Sequence, residues 1–364
     1  MAKAPGAQDI KGQAQKSEAA KNGKNEIGTE QKKGQVSCMQ KIKAWIRLTR
    51  AEHSIMSALG VLVGILIALK TMNVQLCADI FQLSNIVDGG AGHCIPIWQL
   101  VAALLVPICI NLGAFALNDY FDVEADRQNK KEKRPLVSGE LSKNTAIITA
   151  IAGLLLGCAL GFLISVTAGI IALAFAALSF LYNWKLKDYA VVGNLFIALS
   201  MGIAFPFGVI AMNGSGFALF ISLILALGSV FAGMGREIVK TVQDMKGDAA
   251  ARGSKSLPHV IGAKNSLYLA AVFFVLFAVI MPYLVMESSN GGLDGGKSLS
   301  GVKTYFIQWN IFSLALLAIA FFAFITMAFI CVKKETTDEE IERIRKTSLY
   351  ALAIALVAIM FVLI

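Results

Sequence analysis

NLGAFALNDYFDVEADRQNKKEKRPLVSGELS, residues 111–142, is the stretch on which the fold turns. Its opening NLGAFAL closes an uncharged apolar run that begins near Ile97. A run of about 20 such residues, at 1.5 Å of rise each, matches the hydrocarbon thickness of a bilayer. Neither Gly nor Pro stands between Asn118 and Asp126, so the spacing predicts that the helix continues out of the apolar layer into an acidic one. The following KKEKRPLVSG is basic and turn-forming. It reads as the loop where the chain doubles back.

The rest of the chain repeats this pattern. Of 364 residues, 56% are hydrophobic and 16% charged, against about 25% charged in soluble domains. Mean hydropathy is +0.66. The long apolar runs predict an all-α polytopic membrane protein with nine transmembrane helices, near 53–72, 97–117, 144–163, 165–182, 190–212, 216–235, 266–286, 304–332 and 347–364. A very short turn near Ser165 joins the third and fourth, and 286–303 is a Gly/Ser-rich loop. With the N-terminus inside, the inner segments hold 25 Lys and Arg and the outer ones 3. That asymmetry is what insertion produces. The net charge of +9 is then a topology signal, with no call for a nucleic-acid partner.

Residues 1–40 differ, being rich in Lys, Gln, Gly, Asn and Glu. They read as a disordered cytoplasmic tail ahead of a helical domain over 41–364. Of the six Cys, Cys109 and Cys158 sit in apolar runs as small hydrophobes. Cys77 and Cys94 share an outer loop, where a disulfide and chance co-occurrence are both open.

Two inner loops carry the chemistry. On a continued helix Asn118, Asp119, Asp122 and Asp126 project to one side, at spacings of three and four. Carboxylates so crowded repel one another unless a cation lies among them, and hard oxygens suit Mg²⁺. After the sixth span, GMGREIVKTVQDMKGDAAARGSKS would place Asp244 and Asp248 as a second pair. Arg236, Lys240 and Gln243 form an adjacent stripe, and Glu237 extends the acids by one turn. Taken singly, either cluster is also what a solvated helix with i,i+4 ion pairs looks like. Two of them at a membrane mouth, each flanked by bases, suit a diphosphate held through metal ions.

At these residues the chain resembles the UbiA superfamily of intramembrane prenyltransferases. Asn118-Asp119-Tyr120-Phe121-Asp122-Val123-Glu124-Ala125-Asp126 is similar to its NDxxDxxxD signature, and Arg134-Pro135-Leu136-Val137-Ser138-Gly139 to its RPLxSG segment. Leu181-Tyr182-Asn183-Trp184-Lys185-Leu186-Lys187, with Gly193-Asn194, resembles its LYxxxLK…GN stretch. Arg236-Glu237-Ile238-Val239-Lys240 and Asp244-Met245-Lys246-Gly247-Asp248 look most like the archaeal branch that makes digeranylgeranylglyceryl phosphate. Two departures stand out. Thr241 replaces an Asp that often follows the Lys, and Arg50-Ala51-Glu52-His53 replaces an RPxN-like entry to the first span. His53 is either a polar contact at the base of the pocket or a helix-start histidine near the headgroups.

The resemblance implies a cell-membrane enzyme whose helices surround a central cavity open at the cytoplasmic side. Asn118, Asp122 and Asp126 would hold one Mg²⁺ and Asp244 and Asp248 the other, with Asp119 supporting. Arg134, Lys185, Lys187, Arg236 and Lys240 would neutralise the departing diphosphate. Tyr182 and Phe121 would either stabilise carbocation character or pack. Arg50 joins the cations available to a phosphorylated acceptor. The implied partners are a prenyl diphosphate, a lipid acceptor and the surrounding membrane lipid. On this reading a geranylgeranyl group passes to geranylgeranylglyceryl phosphate. The rivals are an aromatic prenyltransferase of the same superfamily and a divalent-cation transporter. Against the transporter, the acids lie at the inner mouth and not at mid-bilayer.

Overall fold

The computed structural model describes residues 37–72, 75–77, 94–128, 131–252, 255–290 and 309–363. The chain divides into a short unit, Met1–Lys43, and a large one, Ala44–Ile364. The N-terminal tail expected over 1–40 lies outside the described residues apart from its last four, and so does most of the 286–303 loop.

Helix α1 (Cys38–Thr49) leads into α2 (Ala51–Met72), and α3 is unbroken from Ile97 to Gln128. There follow α4 (Lys143–Ile164), α5 (Val166–Trp184), α6 (Val192–Gly202), α7 (Ala204–Ala211) and α8 (Phe217–Arg252). A five-residue α9 (Leu257–Ile261) precedes α10 (Ala263–Asn290), α11 (Ile311–Val332) and α12 (Asp338–Leu363). Among the described residues, eight helices are long and apolar enough to cross a membrane, nine if the bent pair α6–α7 is one span. The chain is a multi-pass membrane protein.

The fifth expected span, read as one helix over 190–212, is instead broken at Ile203 and bent by 41°. Pro206 accounts for the break. It has no N–H to give the Gly202 carbonyl, and its ring crowds that oxygen. The turn at Ser165 is a single residue. Its N–H bonds the Gly161 carbonyl to close α4, while its Oγ accepts from Ala168 N at 3.1 Å to open α5.

Lipid tails give apolar helices little reason to associate, so close backbone packing matters. The α2–α7 crossing shows it at Gly64. A Cβ there would overlap the Phe205 carbonyl oxygen. Helix α3, which carries the acidic signature, meets α4 as closely: a Cβ on Gly153 would lie 2.7 Å from the Cys109 carbonyl oxygen.

Short parallel strand pairs tie the loops. β1 (Gln75–Cys77) pairs with β2 (Cys94–Pro96), where Cys77 and Cys94 are joined in a disulfide. β3 (Tyr189–Ala190) pairs with β4 (Lys255–Ser256), which fastens the segment after α5 to the segment after α8. These are the segments that follow the LYNWKLK stretch and the second acidic stretch.

Candidate active site

The polar groups converge where α2 begins. Arg50 joins α1 to α2 with φ of 44°, a left-handed conformation that costs a non-glycine residue about 1–2 kcal/mol. That backbone aims its side chain at α3. Nη2 donates to Asp119 Oδ1 at 3.1 Å and to Asn118 Oδ1 at 3.3 Å. The guanidinium lies 4.8 Å from the centroid of Phe115, and His53 meets the same ring edge-on at 5.8 Å. Burial pulls the Arg50 pKa below its ordinary value, as does Arg134, while Asp119 opposes both. The guanidinium still carries its charge.

The acids of α3 separate into two groups. Asp119 and Asp126, seven residues apart, are 2% and 4% exposed. Arg134 spans them, with Nη1 at 2.6 Å from Asp119 Oδ1 and Nε at 3.7 Å from Asp126 Oδ2. Lys131 adds a contact to Asp126 at 3.2 Å. The second group is Asn118 and Asp122, linked at 3.2 Å, with Lys187 paired to Asp122. Thus the single face expected from spacing is shared between two sets of partners. Asp126, expected beside Asn118 and Asp122, is drawn to Arg134 and Lys131.

Arg134 reaches back because its loop is tightly folded. Ser138 N–H donates to the Arg134 carbonyl at 2.9 Å and Leu141 N–H to the Pro135 carbonyl at 3.1 Å. Gly139 takes φ of 75°, which only glycine adopts freely, and Leu136 is buried under the turn. The segment thereby folds back over α3.

The second motif is on α8. Glu237 is buried, with Oε1 accepting from Arg236 Nη1 at 2.6 Å and Oε2 from Lys240 Nζ at 3.2 Å. His53 lies within electrostatic range of Arg236, Lys240 and Glu237. The start of α2 thus bears on both motifs, with Arg50 bonded to α3 and His53 in electrostatic range of the α8 charges. Asp244 is half-buried further along α8. Asp248 is on the same helix, but its side chain falls outside the described residues.

The remaining candidates divide. Lys187 joins the site, whereas Lys185 ends α5 with an exposed side chain. Tyr182 stacks on Phe196 at 5.0 Å between centroids. Phe121 packs edge-on against Phe180, and the Lys187 ammonium lies 5.8 Å from its centroid. Three contributors had been given no role from sequence. Asn183, 3% exposed, accepts from Asn118 Nδ2 at 2.9 Å and donates to the Ser179 carbonyl at 2.8 Å. Phe115 carries Arg50 and His53, and Lys131 neutralises Asp126. Asn183 lay within a quoted motif and could have been flagged as an amide in an apolar helix, whereas Phe115 carries no such signal.

A small apolar cavity lined by Ile67, Ile221, Leu225, Leu284 and Ile359 lies at the other end of α2 from these groups. It is no part of the polar site.

Residues 89–294 match the UbiA prenyltransferase family. The digeranylgeranylglyceryl phosphate synthase of Archaeoglobus fulgidus is 32% identical over 241 residues, covering 66% of this chain and 74% of that protein. A solved digeranylgeranylglyceryl phosphate synthase superposes with TM-score 0.61 at 28% identity, covering 89% of this chain and 99% of that one. A UbiA homologue from Archaeoglobus fulgidus bound to GPP and Mg²⁺ shares the fold, with TM-score 0.54 at 16% identity over 87% of this chain and 99% of that one. The match covers more than half of the chain, including the α3 signature and all of α8, and the chain therefore belongs to the UbiA prenyltransferase family.

Proposed function

We propose that this chain transfers a geranylgeranyl group from geranylgeranyl diphosphate to geranylgeranylglyceryl phosphate, forming the second ether bond of an archaeal membrane lipid. The observation that carries the reading is the first turn of α2, where Arg50 binds Asn118 and Asp119 while His53 lies in range of Arg236 and Lys240. The two motifs thus serve one site. The digeranylgeranylglyceryl phosphate synthases named above support the choice of donor and acceptor.

The residues fit a divalent ion. Among the described residues no three carboxylate, histidine or cysteine side chains gather closely enough to hold one unaided. Mg²⁺ needs only one or two carboxylates when substrate phosphates complete its shell. Asp119 Oδ2 is also buried with no hydrogen-bond partner among the described residues. Asn118 and Asp122 would hold one ion, with Asp126 joining them only by giving up Lys131 and Arg134, and Asp244 and Asp248 would hold another. A bound ion there supplies charge neutralisation for the diphosphate.

The chain's own cations do the rest. Lys187, beside Asp122, and Arg134, beside Asp119, stand ready to pair with diphosphate oxygens as the C1–O bond stretches, favouring charge that grows in the transition state. The acceptor hydroxyl oxygen bonds to C1, the C1–O bond to diphosphate breaks, and the hydroxyl proton passes to diphosphate or solvent. Apolar helices around the prenyl tail exclude water that would otherwise capture the cation. The Lys and Arg distribution supports an inside N-terminus and a cytoplasmic site at the cell membrane. Residues 1–40 are then a cytoplasmic tail and 41–364 the catalytic domain.

The test is a product assay on the purified chain in liposomes. Geranylgeranyl diphosphate is offered with geranylgeranylglyceryl phosphate, a hydroxybenzoate, a naphthoate or a porphyrin precursor. Ether product from the glycerol phosphate lipid alone is expected, lost on chelation and restored by Mg²⁺. Prenylation of an aromatic ring would replace the acceptor assignment, and turnover that survives chelation would remove the metal.

A further inference from the structure

Glu237 is the acid of α8 that the metal reading leaves over. Both of its carboxylate oxygens are taken by cations one and three residues away, Arg236 and Lys240. An oxygen so occupied is a poor metal ligand but a good anchor. It fixes two long, otherwise mobile side chains that would lose rotamer freedom on binding an anion.

The groups around this anchor have unspent donors. Thr241 Oγ1 lies 2.6 Å from the Glu237 carbonyl oxygen and 3.2 Å from Asn194 Oδ1. With its oxygen facing that hydroxyl, Asn194 turns its amide nitrogen the other way. Asn194 Nδ2, Arg236 Nε and His53 Nδ1 are all buried with no hydrogen-bond partner among the described residues. Each unmet buried donor costs about 1–3 kcal/mol. Beside the cations Arg236 and Lys240, with Glu237 holding them and Glu52 Oε1 3.6 Å from His53 Nδ1, these atoms suit an anion with several oxygens. A phosphate monoester has three free oxygens and a charge of about −1.5 to −2 at neutral pH. The cations on the α3 side, Arg134 and Lys187, already stand against Asp119 and Asp122 for the diphosphate.

We propose that Arg236, Lys240, Asn194 and His53 form a phosphate-monoester subsite for the acceptor lipid, with Glu237 as the positioning residue that holds the two cations. The inference rests on the acceptor reading above and gives it a location. It also gives Thr241 a purpose. A carboxylate at that position would face Asn194 and lower the positive charge of the subsite, whereas a hydroxyl orients the amide without adding charge.

The test is equilibrium binding by the full chain in nanodiscs, without donor or metal, of geranylgeranylglyceryl phosphate and of geranylgeranylglycerol. The wild type should prefer the phosphate by at least about tenfold, the worth of one charge-assisted hydrogen bond. Glu237→Gln and Lys240→Gln should each bring the ratio near one. Lys240 is half-exposed, so its variant tests the subsite even if the buried Glu237 variant folds poorly. The ratio is internal to each protein, so a general loss of folded material cancels. Variants that keep the wild-type ratio overturn the subsite, and so does a wild type with no preference. In that event ether product from the phosphate lipid in the same preparation decides whether the acceptor reading survives.

Discussion

Replacing Arg134 by Gln tests the electrostatic core of the site. Asp119 and Asp126 are almost wholly buried, and among the described residues Arg134 alone pairs with both. The 2.6 Å contact to Asp119 is a charge-assisted hydrogen bond, worth about 1.5–3 kcal/mol. The 3.7 Å contact to Asp126 is too long for a hydrogen bond and adds only Coulomb attraction. Removing one partner of a buried pair costs about 3–5 kcal/mol, because a charge stays behind uncompensated. Here Arg50 still reaches Asp119 at 3.1 Å and Lys131 still reaches Asp126 at 3.2 Å. The loss should therefore fall at the low end, about 3 kcal/mol. The assay is thermal unfolding in detergent, followed by tryptophan fluorescence, for Arg134→Gln, Asp119→Asn and the double variant. The double variant should recover at least about 1 kcal/mol over the sum of the single losses, because the stranded charge is gone. A fully additive cycle, or an Arg134→Gln protein as stable as wild type, would show that the guanidinium does not compensate Asp119.

Asp122→Asn keeps the shape of the side chain and removes the charge that Lys187 neutralises. Turnover should fall at least about a hundredfold, the unfolding midpoint should drop because Lys187 loses its partner, and a product assay showing near-wild-type rate would strike Asp122 from the reacting site. Gly64→Leu places a side chain against the Phe205 carbonyl oxygen at the α2–α7 crossing. Because backbone must move to admit it, a loss of about 1–3 kcal/mol is expected, and an unshifted unfolding midpoint would mean the helices are not in backbone contact.

Much of the architecture was legible because a bilayer constrains it severely. An uncharged run of spanning length has few alternatives, so the spans stand out without tertiary information. Ser165 is a case where local chemistry sufficed, since its hydroxyl and amide cap two helices at once. The break at Ile203 escaped because hydropathy averages over a window and does not register that Pro206 deprives the Gly202 carbonyl of its donor. The site was legible to the same depth. Helical spacing placed Asn118 over Asp122, which touch. It did not place Asp126, because that choice belongs to Arg134, whose position depends on a loop folded back by Gly139 and Leu136. Periodicity says nothing about the path of such a loop.

Glu237 shows the same limit from the other side. Counted along the helix it is one more acid in a stripe, yet Arg236 beside it and Lys240 one turn on were visible in the same five letters. The sign of a buried carboxylate's role depends on whether its compensating cations come from its own helix or from a ligand. Asp122 takes its cation, Lys187, from another element, so the pairing can be exchanged when a ligand arrives. Glu237 takes both of its cations from α8, so it stays paired and shapes the site by holding them. On the proposed reading, that contrast separates the acids that would hold metal from the acid that organises charge. It follows from a single structural fact, which helix each counter-ion rides on.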